Sequence, residues 1–420
     1  MLADLNASPM QSVEAPESRI EAVVVQTAPL LSAQGMRGTT VRDIASKSGE
    51  STSALMSMFG DKHGIVAACF NAAVARDIAH IDQFVDEIER IDLPAALAGP
   101  YLATLCEQAG GPLKEDMRTL LELWLYASLD QRFSMICSAW LKARRDAFRR
   151  LAAHFDCDEL AFDFLTLHVL AESSFAVSCA RSSTYTVVAS AGFIETFAMV
   201  TGLGPERVTK DIENIASRFY VTFDASFQYP PEQPGSDIKE KIIAATARII
   251  EREGFASVTN RAVAKEAGVS LASTTYHFSS IADLAAAGFR RVFDTANRRI
   301  ASDTSRQDFA EMQRQRLSRR RVEAGGEYAR SRGMTEISLA ASRDILPWTM
   351  GLEMRQQRGV ITYTAASTSK SGPISRLKAA SHALWSSAAS ITAASVPDAD
   401  QIFDFEAQSE LALSRLRAAE

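Results

Sequence analysis

The chain repeats itself, and that repeat restricts its fold more than any other feature. Laying residues 27–59 over residues 246–278 pairs Thr27-Ala28 with Thr246-Ala247, Gly35 with Gly254, Thr40 with Thr259 and Arg42 with Arg261. The same overlay pairs Ala45 with Ala264, Gly49 with Gly268, Ser51 with Ser270 and Phe59 with Phe278. These identities fall on glycines, cap-type residues and core positions, where backbone geometry and packing leave least choice. A weaker echo follows. Ala127-Ser128-Leu129-Asp130 parallels Ala341-Ser342-Arg343-Asp344, and each leads to an Arg-rich helix carrying Arg144-Arg145 or Arg355 and Arg358. The repeat therefore extends past its first unit into the domain that follows.

Apolar residues recur at helical spacing in Ile20, Val24, Thr27 and Leu31, and again in Ile238, Ile242, Ile249 and Ile250. Strand-like alternation bounded by turns is absent from the sequence. The predicted class is all-α, as two tandem repeats, each a helix-turn-helix head followed by a helical regulatory and dimerisation domain. Expected boundaries are a flexible tail at 1–17, a first head at 18–65 and its helical domain at 66–225. A Pro-rich linker at 226–236 follows, containing Tyr229-Pro230-Pro231-Glu232-Gln233-Pro234-Gly235-Ser236 over its core. The second head is expected at 237–285 and the second helical domain at 286–420.

Apolar residues make up 47% of the 420 and charged residues 23%, a globular balance that excludes wholesale disorder. The net charge of −6 argues against bulk electrostatic DNA binding, but not against a local basic footprint, because only charges within about 10 Å of a phosphate act on it. No apolar run is expected to reach the ~20 residues of a membrane span, and the N-terminus lacks a signal-peptide pattern, so a cytoplasmic protein is predicted. The five cysteines, Cys69, Cys106, Cys137, Cys157 and Cys179, form no CxxC pair and are expected to be reduced core thiols, with no metal site and no cofactor. No P-loop, GxGxxG, HExxH or GxSxG occurs. Ser367-Thr368-Ser369-Lys370 has SxxK spacing without partner motifs, and no enzyme is predicted.

Residues 238–284 divide into four helices. The first ends at Gly254; Thr259 is a cap candidate for the second; Gly268-Val269-Ser270 forms the tight turn, with Ser270 capping a third helix from Leu271 to Phe278. Ala282-Asp283-Leu284 enters the fourth. This stretch resembles the DNA-binding head of the TetR family of regulators, above all in Thr259–Leu284, with Ala264, Gly268-Val269-Ser270 and Tyr276-His277-Phe278 at the family's spacing. The resemblance implies that the helix beginning at Leu271 lies in the major groove. Ser273 and Thr274 would then offer hydroxyls to base edges, and Leu271 and Ala272 would meet thymine methyls. Thr259, Arg261, Tyr276 and His277 would face the phosphate backbone, and Asn260 and Ser270 are further candidate DNA contacts. Phe278 is expected in the core. One departure is Ile281, which stands where the family usually has a lysine.

The first head resembles the family less well. Gly35, Thr39-Thr40, Ile44-Ala45, Gly49, Ser51 and Phe59 remain, and Lys62 occupies the position that Ile281 lacks. Glu50 replaces the apolar turn residue and would repel phosphate if it faced DNA. Ser57-Met58 replaces Tyr276-His277, and Pro29 is expected to kink or interrupt the first helix. Candidate DNA contacts are Thr40, Arg42, Ser51, Thr52, Ser53 and Lys62.

By the same resemblance, the helical domains would pair through small-residue helices and bind a small-molecule effector. Candidates for docking are Ala161–Ala180 and Arg376–Ala394, whether as an intramolecular pseudo-dimer or a homodimer. Candidate ligand contacts are Trp124, Tyr126, Phe133, Trp140 and Phe175 in one half and Trp348, Met350 and Met354 in the other. The Arg-rich residues 290–332 would be a solvated face or a supplementary phosphate contact. The predicted function is a ligand-responsive transcription regulator, a repressor, on an imperfect or non-palindromic double-stranded DNA operator. The alternative is a ligand- or protein-binding module whose heads no longer hold DNA.

Overall fold

Helix ends in both repeats fall where short polar side chains and glycines place them. The computed structural model describes residues 16–203, 210–220, 237–304, 327–360, 362–363 and 374–417, and no strand occurs among them. The expected tail up to residue 15, the 226–236 linker, Arg319-Arg320-Arg321 and Ser367-Thr368-Ser369-Lys370 lie outside the described residues, as do the side chains of Arg298 and Arg299. The first repeat runs α1 (Pro16–Gly38), α2 (Val41–Ser48), α3 (Thr52–Phe59), α4 (Lys62–Arg90), α5 (Ala95–Gly110), α6 (Lys114–Tyr126), α7 (Gln131–His154), α8 (Glu159–Cys179), α9 (Ser183–Thr201) and α10 (Lys210–Tyr220). The second runs α11 (Ile238–Glu253), α12 (Asn260–Ala267), α13 (Leu271–His277), α14 (Ile281–Thr304), α15 (Glu327–Ser342), α16 (Trp348–Gln356), α17 (Arg376–Ser395), α18 (Ala399–Ile402) and α19 (Phe405–Arg417).

The two heads are capped alike. Thr40 accepts the Asp43 amide while Asp43 returns the bond, a full capping box, and Thr259 accepts the Ala262 amide at the matching place. Gly49 (φ 73°) and Gly268 (φ 66°) end α2 and α12 in the left-handed region, and Ser51 and Ser270 then cap α3 and α13. The break expected at Pro29 is not there. Proline is carried within α1, and the backbone leaves helical geometry only at Gly35 (φ 73°, ψ 168°).

Gly35 and Gly254 do more than end a helix. Gly254 has the same unusual backbone (φ 83°, ψ 169°), which belongs almost to glycine alone. A Cβ on Gly35 would sit 2.6 Å from Glu122 Oε1, and one on Gly254 would sit 2.7 Å from Glu336 Oε1. Each glutamate accepts the amide that follows its glycine: Met36 N–H donates to Glu122 at 3.3 Å, and Phe255 N–H to Glu336 at 2.9 Å. Glu122 and Glu336 occupy matching places in α6 and α15, each five residues before the Ala-Ser pair of the second echo. Both heads are thus latched to their helical domains by one repeated device.

The helical domains dock on each other within the chain. The central helix α8 packs on α5, α7 and α9 of its own repeat and on α15, α16 and α17 of the other, so nearly every one of its side chains is buried. The two small-residue stretches, in α8 and α17, lie against one another. Two helices, Lys62–Arg90 and Glu159–Cys179, do have the length and hydropathy of a membrane span, which corrects the expectation that no segment reaches it. The second is 94% buried, because protein covers it on every side. At the centre of the seam Arg355 donates twice to Glu172, both at 2.9 Å, and once to the Tyr220 hydroxyl at 2.7 Å, while Tyr185 donates to the same carboxylate at 2.9 Å. Burial alone pushes Glu172 up, but the Arg355 guanidinium outweighs it and holds the carboxyl below its ordinary value.

Truncating one partner of a buried, hydrogen-bonded ion pair leaves the other charge without compensation. Arg355→Ala is expected to cost about 3–5 kcal/mol in urea unfolding at neutral pH. Because the folded-state carboxyl is depressed, its contribution is present above the ordinary value of 4.5 and is lost as pH falls through the folded value. The urea midpoint of the wild type should therefore fall with acidification below that point, and this component should be missing in Glu172→Gln.

Candidate nucleic-acid interface

On a seven-residue helix, which side chains can reach DNA depends on which face packs inward. In α13 the inward face is Thr274 and Phe278, and the outward face is Leu271, Ala272, Thr275 and Tyr276. Tyr276 is 85% exposed, so it is no packing residue. Leu271 is half-exposed at the helix start, where an apolar side chain can meet a thymine methyl. Thr274, expected at a base edge, is fully buried and donates its hydroxyl to the Leu271 carbonyl at 2.7 Å. Its place on the outward face is taken by exposed Thr275, which the sequence reasoning missed. The repeat held the signal: Leu55, the Thr274 counterpart, is apolar and buried.

The remaining second-head candidates surround that face. Ser270 is exposed; its oxygen accepts the Ser273 amide at 3.1 Å and shares a hydrogen bond with the half-buried Ser273 hydroxyl. Thr259 is exposed and engaged as a cap, and Arg261 is exposed beside it. Asn260 is half-buried, with its Oδ1 turned away from solvent. His277 is half-buried, edge-on to Tyr276 with ring centroids 5.1 Å apart. In the first head Thr52, Ser53 and Ser57 are exposed on α3, Thr40 and Arg42 at the start of α2, and Ser51 at the turn. Lys62 is half-buried at the start of α4, where desolvation holds its ammonium below the usual lysine range against the pull of Asp43.

Glu50 has a partner. Arg19 on α1 grips it with two hydrogen bonds, at 2.6 and 2.5 Å, and this holds the carboxyl below its ordinary value. The acid at the turn is thus neutralised by the head's own first helix rather than presented bare to phosphate. At the matching positions the second head has Ile238 and Val269, so an ion pair in one repeat stands where the other has two apolar residues.

The aromatic and Met candidates for an effector do not converge. Trp124, Phe133, Trp140, Phe175, Met350 and Met354 are all buried core, and Trp348 is half-buried at the start of α16. Trp124 donates to Thr392 of the other repeat at 3.0 Å, and Trp140 donates to Asp77 at 2.7 Å. Tyr126 lines a cavity at the junction of the heads. The cysteines are free; burial pushes the Cys69 thiol up to about 12, far from thiolate reactivity at neutral pH.

Two measurements follow from this geometry. Arg19→Ala should weaken binding to a specific DNA site several-fold in a gel shift, and Glu50→Val added to it should restore affinity by removing the exposed acid. Arg261→Ala should lower affinity across sequences and reduce the slope of log K against log salt by about 1, whereas Leu271→Ala should leave the slope unchanged and relax base preference.

A family model for bacterial regulatory proteins, tetR family, matches the chain twice, at residues 24–69 and at residues 242–287. No curated protein matches the chain. The matched segments run from within the first helix of each head into the start of its fourth, across the caps, turns and outward faces described above. The chain is a tandem member of the TetR family of DNA-binding transcription regulators, with that family's N-terminal domain present twice.

Proposed function

We propose that the protein is a ligand-responsive repressor in which one chain supplies both heads that a regulator needs to grip two half-sites. The observation that carries this reading is the intramolecular seam: α8 of the first repeat is enclosed by α15, α16 and α17 of the second. A direct bond also joins the heads, from Arg37 Nη1 to the Glu253 carbonyl at 3.1 Å and to the Ser257 hydroxyl at 2.7 Å. The chain would act as its own pseudo-dimer, in the cytoplasm, with double-stranded DNA and a small-molecule effector as partners.

The two outward faces differ. Thr52, Ser53 and Ser57 present hydroxyls, whereas Leu271, Ala272, Thr275 and Tyr276 present methyls, one hydroxyl and a phenol. Different side chains select different base edges, so the operator should be imperfect or non-palindromic. A ligand would release the DNA by favouring an arrangement of heads that no longer matches successive grooves, which requires unequal affinity for the two arrangements.

Footprinting of the DNA flanking the gene is the test. One chain per site, protecting two unlike half-sites, is the expected result, with stoichiometry read by titration above the dissociation constant. A perfect palindrome holding two chains would refute the pseudo-dimer. Failure to retard any flanking fragment at low salt would refute the operator reading altogether.

A further inference from the structure

The two heads, α6 and α15 meet around a cavity of about 270 Å³ on the seam between the repeats, outside either helical domain's own core. Its walls include Arg37, Tyr126, Phe255, Leu339, Ala340 and Ile345, with the two latch glutamates alongside. The repeat is broken at this cavity. Tyr126 and Ala340 each come one residue before the second echo, so one side contributes a phenol ring and the other a methyl. A tyrosine on both sides would fill much of the space.

The polar lining has a sign. Glu122 is already satisfied by the Met36 amide and by Arg343 at 2.6 Å. Glu336 is satisfied by the Phe255 amide, by Tyr126 at 3.0 Å and by Arg332 at 2.8 Å. Neither carboxylate is left to seek a cation. Arg37 is different: it is exposed, pairs with no carboxylate among the described residues, and spends only Nη1 on its two bonds to the other head. The other edge of its guanidinium fork remains for an anion, and its cation lies 5.7 Å over the Tyr126 ring.

The geometry points to this cavity as the effector site, taking a small carboxylate whose apolar or aromatic body rests on Phe255, Leu339 and Ala340 while Arg37 holds its charge. A carboxylate there competes with the Glu253 carbonyl and the Ser257 hydroxyl for Arg37, so occupation loosens the two hydrogen bonds by which Arg37 joins one head directly to the other. The site rests on the reading of the protein as ligand-responsive.

Calorimetric titration of the full chain with benzoate, without DNA, tests it, with benzamide and benzylamine as neutral and cationic controls of the same shape. Saturable benzoate binding at millimolar concentration is expected, with neither control binding comparably. Ala340→Tyr should abolish it by filling the cavity, and Arg37→Met, a surface change that leaves the core intact, should weaken it about tenfold or more. No saturable benzoate binding by the wild type, or binding that survives both substitutions, would overturn the site. Because the readout needs no DNA, that failure would leave operator binding standing, and a protein that binds benzoate yet retards no DNA would sink only the operator reading.

Discussion

A carboxylate pressed against a glycine holds each head to its body. Gly35 and Gly254 adopt a backbone that a side chain would strain, and Glu122 and Glu336 occupy the space where that side chain would be. The acceptor reaches the amide just beyond the glycine, so the end of the head's first helix is fixed in both position and direction. Buried carboxylates of this kind are stable only when their lone pairs are filled, and here arginines, a phenol and backbone amides fill them. This small polar cluster adds direction to the apolar contact made by Leu31 and Met36, which are buried in the same core as the body.

That cluster and the seam are continuous. Arg343, which pairs with Glu122 of the first repeat, belongs to the second, and Tyr126, which donates to Glu336 of the second, belongs to the first. Each repeat thus completes the other's latch. Deeper in, Arg355 and Glu172 cross the same boundary, and Ser178 with Ser338 and Thr196 with Ser381 add hydrogen bonds between helices close enough for hydroxyls to meet. Movement of one helical domain against the other would disturb both latches at once, because each takes a partner from the opposite repeat.

Much of the head was legible in the sequence. Thr40, Gly49, Ser51, Thr259, Gly268 and Ser270 are caps whose chemistry names their role, and the structure places each one there. What escaped depended on distant partners. Glu50 reads as a defect in the sequence because its partner, Arg19, stands 31 residues away on the first helix. Gly35 and Gly254 were visible as a repeated pair, but their meaning lay in glutamates far along the chain. The Thr274 hydroxyl suits a base edge by chemistry alone, while burial on so short a helix is decided by packing that periodicity resolves poorly. Of the aromatic residues that suggested a pocket, Trp124, Phe133, Trp140 and Phe175 are core, Trp348 is half-buried, and buried Tyr126 borders a cavity. The small residues of α8 and α17 announced close docking, but composition is the same whether the partner is another molecule or the rest of the chain.

The bond from Arg37 to Ser257 has no mirror image. In a symmetric dimer every substitution is inherited on both sides of the dyad, so a change that helps one side and harms the other is lost. Here the chain can alter one side alone, as it has with Tyr126 and Ala340, or with Arg19-Glu50 and Ile238-Val269. Fusion of the repeats converts a surface that must be self-complementary into two surfaces free to diverge, and each half can become a specialist while the other preserves the fit.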